Sequence, residues 1–224
     1  MCGIIAIFNL FINSKLSREL LFQLKEIQNR GRESYGFLLS NRNQNFEIRK
    51  YLGDIDLNSI KVGNYKIGLG HNRYATSYEN KKNIDDTKLF YSQPFIGVNI
   101  NLGDFAFIHN GNIKNINKIK EEFGLKEIID NEEKISNKKL NDTLILLKIL
   151  ENIKSKSWLQ LLSTFIENIE GSFSIILLDK KNMELYCLKD RYGNRPLVIG
   201  ENKRGFSICS ESVGLGNYEY MREI

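Results

Sequence analysis

The chain has 224 residues, 42% of them hydrophobic, which is enough for a sizeable core in one domain, and no apolar run approaches the roughly 20 residues needed to cross a bilayer. Its 32 basic and 27 acidic residues leave a net charge of +5, but the lysines are scattered instead of forming a basic tract, so neither nucleic acid nor a membrane is implied as a partner. Three cysteines, Cys2, Cys187 and Cys209, form an odd set with no Cys-x-x-Cys pair, which argues against a disulfide framework and for a reducing, cytoplasmic setting.

The apolar run over residues 4–12 lacks a basic leader and a small-residue cleavage site, so it predicts a buried first strand and not a secretory signal. Leu16, Leu20, Leu21, Leu24 and Ile27 then recur at helical spacing, with Ser14 or Ser17 as the cap and an end near Arg30-Gly31. Residues 35–40 and 46–51 read as a hairpin across the polar segment 41–45, and 66–70 as a strand leading to Arg73. The mostly polar stretch from Tyr74 to Gln93-Pro94 is too long for a turn and is expected to be a loop over a site. A short strand over 105–109 runs into Asn110-Gly111, and helical patterns follow over 113–123, 140–153 and 158–169. Strands over 172–179, 184–189, 197–200 and 206–210 close the chain. Strand runs at both ends with helices grouped between them predict an α+β domain with largely antiparallel sheets.

The chemistry begins at Met1-Cys2-Gly3-Ile4. Removal of Met1 would leave Cys2 with a free α-amine of pKa roughly 7.7 to 8.0, so nucleophile and base would share one residue. On position alone, Cys2 reads more readily as a small buried hydrophobe. His71 and His109 sit beside asparagines and, with Cys2, offer three potential zinc ligands; their spacing matches no ligand pair, so hydrogen-bonding roles are expected and no metal or other cofactor is. Four polar clusters lie at expected strand ends or glycine turns: residues 30–34, 70–76, 109–112 and 141–143. Each has an ordinary explanation taken singly: Asn110-Gly111 as a turn, Asp142 as a helix N-cap, Arg73 as a solvated charge.

Together with Cys2, these clusters resemble the glutaminase domain of class II glutamine amidotransferases, which are N-terminal nucleophile hydrolases, over essentially the whole chain. Gln93-Pro94-Phe95, the segment Asp190-Arg191-Tyr192-Gly193-Asn194-Arg195-Pro196-Leu197 and Ser210-Glu211-Ser212-Val213 look most like the amidophosphoribosyltransferase branch, the first committed step of purine synthesis. The resemblance implies a four-layer αββα sandwich and hydrolysis of glutamine to glutamate and ammonia through a Cys2 thioester. It also implies an oxyanion site formed by the Asn110 side chain and the Gly111 N–H, a carboxylate fork at Arg73 and an ammonium anchor at Asp142. Arg30 would order polar groups around Cys2, and His71, Tyr74 and Thr76 belong to the Arg73 motif.

Leu144 and Tyr35 depart from the family pattern, which favours glutamate and a smaller residue there. Residues 1–224 read as one glutaminase-type domain without a phosphoribosyltransferase segment, so a separate ammonia-accepting synthetase subunit is the expected partner beside glutamine. The oligomeric state is left open. A non-catalytic glutamine-binding or regulatory module is the alternative reading.

Overall fold

The structure, a computed structural model, describes residues 1–41, 43, 46–58, 63–74, 84–136 and 138–224. In chain order the elements are β1 (Gly3–Asn13), α1 (Leu16–Glu26), β2 (Ser34–Ser40), β3 (Glu47–Leu52), β4 (Tyr65–Arg73), α2 (Ile84–Phe90), β5 (Phe95–Asn99), β6 (Gly103–Ile113), α3 (Ile116–Glu122), α4 (Lys126–Ser136), α5 (Asp142–Asn152), α6 (Trp158–Asn168), β7 (Gly171–Asp179), β8 (Glu184–Lys189), β9 (Val198–Asn202), β10 (Gly205–Cys209) and β11 (Glu219–Glu223).

Two sheets form, one of seven strands ordered β11-β9-β10-β1-β4-β2-β3 and one of four ordered β5-β6-β7-β8, and the strand pairs described are antiparallel throughout. Side-chain alternation sorts the core into three slabs. Ile4 and Ala6 of β1 and Ile67 and Leu69 of β4 meet Ala106 and Ile108 of β6 and Ile176 and Leu178 of β7 between the sheets. On the outer face of the first sheet, Ile5 and Ile7 pack against Leu16, Leu20, Leu21 and Leu24 of α1. Beyond the second sheet, Phe105, Phe107, Phe173, Ile175 and Leu177 pack against α3, α4, α5 and α6. The layers therefore run αββα, as the resemblance implies.

Three local expectations change. Lys15, not a serine, holds the N-cap of α1 and makes no side-chain cap bond; the Asn13 carboxamide takes the Lys15 N–H at 2.9 Å just ahead of it. Asn110-Gly111 is not a turn, because β6 continues to Ile113 with Asn110 opposite Ser174 and Gly111 opposite Phe173. The stretch expected as a loop carries α2, in which Asp85 and Asp86 sit favourably at the helix start and Lys88 near its end; residues 75–83 lie outside the described residues.

Phe105 is fully buried, meets the Trp158 ring edge-on at 5.0 Å and lies 6.3 Å from Phe107. Phe105→Ala is expected to lower stability by about 3–5 kcal/mol, because the helices cannot collapse onto the void without dragging the sheet. A urea titration reads this directly, and a loss below about 1 kcal/mol would mean that the slab relaxes freely.

Candidate active site

The same alternation that builds the inter-sheet core carries polar residues to its open end. On β4, Ile67 and Leu69 face the second sheet, and two steps at a time the series reaches His71 and Arg73. On β1, Ile4 and Ala6 face the same way, which puts Cys2 at the start of that series. On β6, Ala106 and Ile108 are followed by Asn110. Cys2, Arg73 and Asn110 thus come from three strands to one end of the cleft.

Cys2 is held by its neighbours on both sides. Ile4 N–H donates to Ser210 Oγ at 3.0 Å and Ser210 N–H returns to Ile4 O at 3.0 Å, which pins the strand just after it. Arg30 Nε donates to the Cys2 carbonyl at 2.8 Å, and the guanidinium is itself paired with Glu211. Cys2 Sγ takes the Tyr74 N–H at 3.5 Å and lies 3.8 Å from the Tyr74 carbonyl. Arg30 therefore orders the backbone of Cys2, and Tyr74 reaches the thiol through its main chain while its ring is 53% exposed. Burial pushes the thiol above its ordinary value of 9.0, with the Tyr74 hydrogen bond opposing, so Cys2 is a thiol at neutral pH and needs a base. The α-amine, carried by Met1 here, is lowered from its ordinary 8.0, first by burial and then by the charges of Arg30 and Arg195, against the pull of Cys2.

Arg73 is already in charge contact. Its guanidinium lies 2.9 Å from Glu33 Oε2, without hydrogen-bond alignment, and 5.4 Å over the Tyr91 ring. Burial holds the Glu33 carboxyl above the usual range, and Arg73 pulls it back. A guanidinium has five donors in a planar fork, so Arg73 can keep Glu33 and still grip a second carboxylate.

Asp142 is not the cap of its helix. Asn141 takes that position, accepting the Leu144 N–H at 3.0 Å, and Asp142 begins the first turn of α5. This frees the Asp142 carboxylate to accept from Ile113 N at 3.2 Å and from Thr143 N at 2.8 Å. The Thr143 hydroxyl lies 3.0 Å from His109 Nδ1, so α5 and β6 are joined on both sides of Asn110-Gly111.

Asn110 is 2% exposed, and among the described residues nothing accepts from its Nδ2. A Cβ on Gly111 would fall 2.3 Å from Ser172 O and 2.6 Å from Phe173 Cα, so glycine is required here by the neighbouring strand. His71 is wholly buried, and desolvation, with the Arg73 charge beside it, pushes it down to about 3; it stays neutral and acts as internal structure. Thr76 lies outside the described residues. Among the described residues no group of three His, Cys, Asp or Glu side chains converges as a metal site, and no helix is long and apolar enough to cross a membrane. Glu33 and Thr143 lie in the polar clusters 30–34 and 141–143, and Ser210 and Glu211 in the C-terminal motif, but the sequence assigns none of them a role.

A family model described as "Glutamine amidotransferase domain" matches residues 83–217, more than half of the chain. The amidophosphoribosyltransferase of Methanocaldococcus jannaschii is 25% identical over all of this chain and 45% of its own length. A probable glutamine–fructose-6-phosphate aminotransferase of Acanthamoeba polyphaga mimivirus is 31% identical over 91% of this chain and 31% of its own length. The solved glutamine phosphoribosylpyrophosphate amidotransferase of B. subtilis superposes with a TM-score of 0.76 at 23% identity, over 100% of this chain and 45% of that one. The chain thus spans less than half the length of these relatives, and its fold is that of the matching part of the B. subtilis amidotransferase. The match takes in Asn110, Gly111 and Asp142 while Cys2 and Arg73 precede it, and the chain belongs to the glutamine amidotransferase domain family.

Proposed function

We propose that residues 1–224 act as one glutaminase unit which, once Met1 is removed, hydrolyses L-glutamine to L-glutamate and ammonia. Cys2 Sγ attacks the side-chain amide carbon as its proton passes to the Cys2 α-amine; that proton then goes to the departing nitrogen, leaving a γ-glutamyl thioester and ammonia. Water attacks the thioester with the same amine as base, which releases glutamate and the thiol. The Asn110 carboxamide and the Gly111 N–H hold the oxyanion in both steps. Arg73 takes the substrate α-carboxylate and Asp142 its α-ammonium, while Arg30 fixes the Cys2 backbone; His71, Tyr74 and Thr76 are assigned to substrate binding by the sequence motif they share with Arg73.

The observation that carries this reading is the arrival of Cys2, Arg73 and Asn110 from three strands at one end of the inter-sheet cleft. The ammonia is consumed at an acceptor site of the amidophosphoribosyltransferase type, in the cytoplasm. Processed protein should release glutamate from L-glutamine and none from D-glutamine or L-asparagine, because both charged anchors and the chain length between them must fit together. Calorimetric binding of glutamine without turnover would overturn hydrolysis in favour of a sensing module.

A further inference from the structure

Strand β5 begins at Phe95, paired with Phe107, and so stops short of the catalytic end of β6. Carrying that register two residues outward puts Gln93 opposite His109. At this position the side chain, not the backbone, makes the ladder: Gln93 Oε1 accepts from His109 N at 2.6 Å and Gln93 Nε2 donates to His109 O at 3.0 Å. A carboxamide has the donor and acceptor of a peptide group, so it can replace one rung of a sheet. Four residues further along the same edge, Ile113 N is taken by Asp142. By strand alternation the Gly111 N–H lies on this edge too, between the two side-chain contacts.

Gln93 is itself fixed against the other sheet. It is 5% exposed, and a Cβ on Gly36 of β2 would fall 2.1 Å from Gln93 O. The preceding residue, Ser92, shares a 2.7 Å hydrogen bond with Ser34 Oγ. The contact chain therefore runs from β2 through Gln93 to His109, the residue directly before the two oxyanion donors.

We propose that the Gln93 carboxamide is a positioning residue, a one-residue substitute strand that fixes the His109 backbone and so aims Asn110 and Gly111 at the oxyanion. The proposal rests on the glutaminase reading above. Its demand is selective: substrate anchoring at Arg73 and Asp142 does not pass through Gln93, whereas stabilisation of developing charge does.

The test uses the Met1-processed chain and Gln93→Met, which keeps length and removes both hydrogen-bonding groups. Expected is a fall in kcat of about 10- to 100-fold with KM for glutamine within about twofold of the parent. Alkylation of Cys2 by iodoacetamide, which forms no oxyanion, should keep its rate. Gly36→Ala, on the opposite sheet, should lower kcat in the same direction by displacing the Gln93 backbone. Hydrogen exchange at the His109 amide should be slow in the parent and fast in Gln93→Met. An unchanged kcat, or a KM and alkylation rate that move with kcat, would overturn the positioning role. If the parent releases no glutamate, hydrolysis fails on its own, and exchange at His109 still decides the clamp: fast exchange in the parent rejects it, and slow exchange lost in the variant upholds it.

Discussion

Retention of Met1 is expected to abolish glutamate release as completely as Cys2→Ala does, although it leaves every side chain of the site in place. The Cys2 thiol is raised above 9.0 by burial, so at pH 7 roughly 1% or less is thiolate and a base must accompany the attack. Of the groups around Sγ, Tyr74 meets the sulfur through its main chain, Arg73 is cationic, and the Asp142 carboxylate already accepts from Ile113 N and Thr143 N. His71 and His109 are buried with lowered pKa values, and His109 points its Nδ1 at Thr143. With Met1 present, the Cys2 nitrogen is an amide and is not basic, and the amine stands one residue further away. General-base assistance contributes about 10²- to 10⁴-fold, so the unprocessed chain should lose at least that much.

Intact-mass spectra define the processed fraction in each preparation, and specific activity should scale with it through zero. Activity in a preparation that is wholly Met1-retained would remove the amine from the mechanism. The processed enzyme should also gain activity as pH rises through the amine pKa. With Met1 in place, burial and the Arg30 and Arg195 charges lower the Met1 amine from its ordinary 8.0, and the Cys2 amine freed by processing stands beside the same Arg30, so kcat/KM is expected to reach its plateau at lower pH than an unperturbed amine would give.

Much of this architecture is legible in the sequence because the residues that show it are periodic. Leu16, Leu20, Leu21 and Leu24 announce α1, and the apolar runs of β7 and β8 announce strands, since burial itself imposes the spacing. Elements held by other forces are not visible in this way. In α4, Ile129 is the buried residue, and Ile128 and Ile135 stand exposed among charged neighbours, so no apolar stripe marks the helix. In β11 every side chain is exposed, and the strand exists through its ladder to β9. The helix-like pattern from Ile113 hid the last residues of β6, which answer to β7 across the sheet. The site divides similarly. Cys2, Arg73 and Asp142 stand at element ends and Asn110 inside β6, and motif matching finds all four. Their supports come from far along the chain, as with Glu211 on Arg30, 181 residues away, and no local pattern encodes such contacts.

Asn110→Leu is expected to lower kcat by about 10²- to 10³-fold while leaving KM for glutamine nearly unchanged and the fold at least as stable. Asn110 is 2% exposed, and its Nδ2 meets no acceptor among the described residues, so the donor is carried at a desolvation cost of about 1–3 kcal/mol. Leucine has a similar shape and removes that cost. The chain therefore keeps an amide where an alkyl group would fold better, which is the signature of a group whose partner appears during reaction. Neither substrate anchor involves Asn110, so ground-state binding should be spared. The informative measurement pairs steady-state kinetics with urea unfolding of the same protein. A large kcat loss with an unfolding midpoint equal to or above the parent's assigns Asn110 to the transition state. A kcat loss that tracks lost stability, or a KM that rises in proportion, would make Asn110 a structural residue and leave the oxyanion to Gly111 alone.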